Sequence, residues 1–136
     1  MVPKYFLEHK GPGIEQGYHY GECKVWEYLR NKGNEVIFPE CFNLVDETSK
    51  HESNNSKIEA AMGTDKYSKL KSILRNMRAS GIKVENPDIC VISPKIFFAD
   101  VKKGGDKIRQ PQINFAQACL KVGIPFIVYH LVAKSD

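Results

Sequence analysis

The stretch PDICVISPKIFFADVKKGGDKIRQPQINF, residues 87–115, limits the possible folds more than any other part of the chain. Two runs rich in β-branched and aromatic residues flank Ser93-Pro94-Lys95, the pattern of a β-hairpin with a three-residue loop. With that loop, Ile92 stands opposite Ile96, Cys90 opposite Phe98 and Asp88 opposite Asp100. Side chains alternate along a strand, so Asp88, Ile96, Phe98, Asp100 and Lys102 share one face. A two-residue loop would instead set Asp88 against Val101. Phe97, Ala99 and Val101 make the other face apolar too, so this strand is expected to be covered on both sides, where idle charges are costly.

Directly opposed residues have Cβ atoms roughly 4.5–5.5 Å apart. Two carboxylates at that separation repel, and one pKa rises unless something cationic intervenes. A hard divalent cation, Mg²⁺ or Mn²⁺, relieves the repulsion through oxygen ligands. Lys102 can reach the same place and orient a water or a phosphate oxygen. The competing account makes Asp88 a turn residue after Pro87, and Asp100 with Lys102 a solvated strand end.

The remaining chain supplies elements for an α/β fold with a mixed sheet. EQGYHYGECKVWEYLRNKGN reads as a helix closed by Gly33, with Val25, Trp26 and Leu29 at helical spacing. EVIFPE is a short strand stopped by Pro39. Residues 41–56 are polar and loop-like, expected to be mobile, and SKIEAAM offers one short helical turn. DKYSKLKSILRNMRASG predicts a helix capped by Asp65, striped by Tyr67, Leu70, Ile73, Leu74 and Met77, and stopped by Gly81. A helix over about 110–122 has Pro111 in its first turn and Gly123 past its end. PFIVYHLV predicts a buried strand, with His130 in the core. His9, His19 and His51 carry no readable signal.

At 136 residues the chain suits one domain. No apolar run approaches the roughly 20 residues that span a bilayer, and the first residues lack the apolar core of a signal peptide. Cys23, Cys41, Cys90 and Cys119 are scattered without metal-ligand spacing, as expected for buried thiols in a reducing compartment: an intracellular protein of cytoplasm or nucleus, or of a host cell if viral. The charge is +4, from 20 Lys and Arg against 16 Asp and Glu. It is unevenly placed. Residues 66–83 hold Lys66, Lys69, Lys71, Arg75, Arg78 and Lys83 with no acid, and Lys102, Lys103, Lys107 and Arg109 follow the hairpin. Such segments suit a polyanion, although a solvated helix face gives the same pattern.

The PD at 87–88, followed after eleven residues by Asp100-Val101-Lys102, resembles the PD-(D/E)XK nuclease superfamily. More narrowly, residues 87–132 resemble the VRR-NUC family, which has a PD, an EVK-like strand, a glycine (here Gly104 or Gly105), an Asp four residues after the lysine (Asp106) and a glutamine opening the next helix (Gln112). Residues 15–39 match weakly, and 40–82 have no counterpart and are expected to be an insertion within a single domain of 1–136. The family's Gly before PD is Asn86 here, its usual Glu is Asp100, and Phe115 stands where Trp is common.

The resemblance implies a restriction-endonuclease-like core and metal-dependent hydrolysis of DNA phosphodiesters. Asp88, Asp100 and the Val101 carbonyl would hold Mg²⁺, with Mn²⁺ able to substitute. Glu22 on the first helix would complete the shell, Glu15 and Glu27 being fallbacks. Lys102 would position the attacking water, and Gln112 would hold phosphate or Lys102. Lys103, Lys107, Arg109, Lys69, Arg75 and Arg78 would follow the DNA backbone. The expected substrate is branched DNA of Holliday-junction or flap type, cut by a homodimer with little sequence preference. A non-catalytic nucleic-acid-binding module and a restriction or toxin-type nuclease remain open alternatives, and no residue excludes RNA.

Overall fold

Strands β2 (Ile89–Ser93) and β3 (Phe97–Lys103) pair antiparallel, with Cys90 opposite Phe98 and Ile89 opposite Ala99. This is the register expected from a three-residue loop, and it carries Asp88 opposite Asp100. The computed structural model describes residues 20–38, 41–46 and 49–131. Within them α1 (Tyr20–Asn31) and β1 (Glu35–Ile37) precede α2 (Glu52–Met62) and α3 (Thr64–Ala79), and α4 (Gln110–Lys121) and β4 (Phe126–Leu131) follow the hairpin. The sheet runs β1-β2-β3-β4, antiparallel except for the parallel β3–β4 pair joined by α4.

The period-2 alternation of β2 and β3 divides the core in two. Ile89, Val91, Ala99 and Val101 face Val25 and Leu29 of α1, with Leu131 of β4. Cys90 and Phe98 face the other way, into Phe42, Leu44, Ile58, Leu70, Leu74, Phe115 and Cys119. The Phe98 ring meets Phe115 edge-on at 5.4 Å and Phe42 at 6.2 Å. Each such fully buried side chain contributes about 1.5–3 kcal/mol. Phe42, Leu44, Ile58, Met62, Leu70 and Leu74, from the stretch expected to be an insertion, therefore supply much of one core layer.

Several expectations change. Residues 49–62 are not loop with one helical turn: a 3₁₀ turn at Ser49–His51 leads directly into the eleven-residue α2. The 41–46 segment is tied down, because Asn43 Oδ1 accepts from Val45 N and Asp46 N, and Asn55 Nδ2 donates to Asn43 O. Gly63, not Asp65, precedes α3, which starts at Thr64 and leaves Asp65 in the first turn, where its charge suits the helix dipole. The last strand is not buried: Ile127 and Val128 are 38% and 43% exposed, and among the described residues β4 pairs with β3 alone. Among the described residues no helix is long and apolar enough to cross a membrane.

Candidate metal centre

Asp88 lies one residue before β2, where the backbone ladder with β3 ends. The two acids continue that ladder with their side chains. Asp88 N donates to Asp100 Oδ1 at 3.0 Å, and Val101 N donates to Asp88 Oδ2 at 2.8 Å. A backbone amide hydrogen bond favours the ionised form of each acceptor. Burial and mutual repulsion oppose it. Burial first, then the charge of Asp100, pushes the Asp88 carboxyl up to about 7. The Asp100 carboxyl is also raised, chiefly by burial.

Asp100 is 1% exposed, and its Oδ2 is the only buried side-chain oxygen or nitrogen among the described residues without a hydrogen-bond partner. Leaving such an acceptor unsatisfied costs about 1–3 kcal/mol, more when it is charged. Lys102 follows two residues later on the same face, 9% exposed. Its ammonium draws both carboxyl pKa values down, without a hydrogen bond to either acid. In an extended strand a residue's N–H and C=O point to the same edge, so the Val101 carbonyl faces the gap that its amide shares with Asp88.

The donor set fits a hard divalent cation in kind: two carboxylates, one with an unpartnered oxygen, beside a buried lysine. It does not fit as a complete cage. Among the described residues no group of three or more His, Cys, Asp or Glu side chains could hold a metal ion. Glu22 sits on α1, which packs against the opposite face of the sheet from Asp100 and Lys102. Its charge still adds to the rise at Asp88, so it lies within electrostatic range. Glu27 is paired with Lys24 at 2.7 Å, and Glu15, His9 and His19 fall outside the described residues. Mg²⁺ characteristically keeps several waters, so two carboxylates and a carbonyl are an ordinary protein share.

The other expected site residues divide. Gln112 is buried, and its Oε1 accepts from Arg109 N, capping α4. The described hydrogen bonds do not join it to Lys102. Arg109 makes a two-pronged ion pair with Glu85, Nη1 to Oε1 and Nη2 to Oε2 at 2.7 Å. Arg78 holds the 41–46 segment through Val45 O and Asp46, as Lys71 does through Leu44 O. Lys69, Arg75 and Lys107 are exposed, and the Lys103 stem runs beside Gly21 on the α1 side of the sheet. Asp106 shapes the turn after β3, accepting weakly from Lys103 N at 3.4 Å.

Three residues near the acids carried no functional signal in the sequence. His130 pairs in register with Lys102 and so shares its sheet face. It is exposed, not core, and its Nε2 lies 2.6 Å from Gly104 O, so that nitrogen carries the proton. A cleft of about 340 Å³ beside Asp88 is lined by Phe42, Asn43, Lys50, His51 and Asn86. A larger cleft of about 420 Å³, around Arg78, Ile82 and Glu85, includes neither acid of the pair. Only the tertiary placement of 41–46 and 49–51 beside Asp88 could reveal Lys50 and His51. The chain matches no family model, and no curated protein matches it either.

Proposed function

We propose that this chain is a metal-dependent endonuclease that hydrolyses DNA phosphodiesters, built like the VRR-NUC members of the PD-(D/E)XK superfamily. The observation that carries the reading is the interlocked Asp88–Asp100 pair, with an unpartnered buried oxygen on Asp100 and Lys102 on the same face. Asp88, Asp100 and the Val101 carbonyl would hold Mg²⁺ or Mn²⁺. When bound, that cation supplies Lewis-acid activation of the phosphodiester and of the attacking water. Lys102 places a positive charge where negative charge develops on the phosphoryl oxygens, and its Nζ can orient the water. The buried setting strengthens both effects. Branched DNA is the expected substrate, and symmetric cutting of two strands would take two copies of the chain. Gel filtration with DNA present tests that pairing.

The test is cleavage of linear, nicked, flap and four-way DNA, with RNA alongside, in Mg²⁺, Mn²⁺ and EDTA. Cleavage is expected in either metal and not in EDTA, and Asp100→Ala and Lys102→Ala should abolish it while DNA binding persists. Survival of cleavage in both variants would overturn this site. The same panel separates a restriction or toxin-type nuclease, which would prefer linear duplex. A second reading, a binding module without turnover, is favoured by one observation: both carboxylates already accept backbone amides and so serve the fold. It predicts DNA binding with no cleavage in any metal.

A further inference from the structure

The cleft beside Asp88 is built from two parts of the chain far apart in sequence. Asn86 joins them: its Oδ1 accepts from Leu44 N at 2.9 Å, and its Nδ2 donates to Phe42 O at 2.9 Å. Phe42 packs on Phe98, so the cleft lies over the sheet face that also carries Asp100 and Lys102. Lys50 and His51 line it from the turn before α2, and the side chain of neither makes a hydrogen bond or ion pair with another described residue. Its walls are mostly polar: Lys50, His51, Asn43, Asn86 and the acid Asp88 line it, together with Phe42 and Pro87. At about 340 Å³ the cleft is small; pockets for single small molecules run from roughly 300 to 1,000 Å³.

We infer that this cleft receives one unpaired nucleotide of a DNA strand, next to the bond cut at Asp88 and Asp100. The inference rests on the nuclease reading for its link to cleavage, and on the cleft itself for binding. Lys50 meets the backbone phosphate as a point charge. His51 offers a flat ring with one N–H donor and one acceptor nitrogen to the sugar or base, the usual means of holding an unstacked nucleotide. A paired nucleotide remains stacked in its duplex and cannot enter a space of this size. The substrate class is therefore DNA with a single-stranded segment at the cut, a flap or junction arm rather than continuous duplex.

The experiment measures binding of the full chain in EDTA to labelled single-stranded, flap and fully paired DNA across a salt series. Lys50→Ala with His51→Ala should weaken single-strand and flap binding about tenfold, the scale of one stacking contact plus one phosphate contact. Lys50→Ala alone should lower the salt slope by about one, and Lys50→Arg should restore it. Duplex binding should stay within about twofold of wild type, as for any exposed charge away from the contact. Equal losses on all three DNAs, unchanged single-strand and flap binding, or no wild-type binding to single strands would each overturn the inference. So would displacement of the strand by deoxyadenosine monophosphate at equal concentration, which would mark a free-nucleotide site. If wild type binds as expected but cuts nothing in Mg²⁺ or Mn²⁺, the nuclease reading fails and the cleft stands.

Discussion

Asp88 and Asp100 are locked together by two crossed hydrogen bonds: the Asp100 carboxylate accepts the Asp88 amide, and the Asp88 carboxylate accepts the amide of Val101. The arrangement holds two acids at the open end of a hairpin where repulsion would otherwise part them. It leaves Asp100 Oδ2 buried and without a partner. The fold thus tolerates a local electrostatic cost that a bound cation would remove, the form that stored strain takes at many functional sites.

The cost depends on pH. Asp88 titrates near 7 in the folded chain against an ordinary 3.8, and Asp100 is displaced in the same direction. Between those values the folded chain holds more protons than the unfolded one, so stability falls as pH rises through that window. Thermal melts in EDTA should give a higher Tm at pH 5 than at pH 8. Mg²⁺ should raise Tm more at pH 8, where no proton competes for the pair. Equal Mg²⁺ shifts at both pH values would rule out binding at these acids.

Asp100→Asn keeps an oxygen that can accept the Asp88 amide and removes one of the two charges. The variant should gain about 0.5–2 kcal/mol in EDTA, the range common when function-bearing strain is relieved. It should lose the Mg²⁺-dependent rise in Tm. Cleavage should fall on the order of 100-fold or more, as when other preorganised charge-stabilising groups are removed. A variant that is less stable than wild type in EDTA would show that the Asp100 charge supports the fold.

The hairpin could be read closely from sequence because a period of two and a loop of three residues leave one consistent register, and the structure has it. What could not be read depends on packing between distant segments. The sequence places Glu22 on the first helix, yet which sheet face α1 covers is set by Val25 and Leu29 against Val91 and Val101. Arg78 and Lys71 look like a solvated basic face until the 41–46 segment brings carbonyls to them. The apolar run at 126–131 resembles a central strand because composition does not say whether a second neighbour exists.

Asn86, the residue before Pro87, ties down the 41–46 segment through its side chain. It makes hydrogen bonds to Leu44 N and Phe42 O, with a longer one to Pro87 O at 3.3 Å. Asn86→Gly leaves the buried Leu44 amide without its acceptor, at a cost of about 1–3 kcal/mol. Chemical denaturation should show that loss. Hydrogen exchange should be faster at Leu44 N while β3 amides keep their protection relative to global stability. An unchanged Leu44 exchange rate would mean that 41–46 is held without Asn86.

Gly21 tests whether α1 is held at a fixed height over the sheet. A Cβ there would come within 2.9 Å of Leu131 Cδ1, 3.2 Å of Lys103 Cδ and 3.3 Å of Val101 Cγ1. Alanine improves helix propensity by up to about 1 kcal/mol, but less in a first turn. Against that, Leu131 is fully buried, so its methyl can retreat only by moving its neighbours, and overpacking typically costs about 1–3 kcal/mol. The packing effect should win, leaving Gly21→Ala about 1 kcal/mol less stable. Pairing it with Leu131→Val, which shortens the side chain it strikes, should recover part of that loss relative to the sum of the single changes. Strict additivity in this double-mutant cycle would mean that α1 does not press on the end of β4.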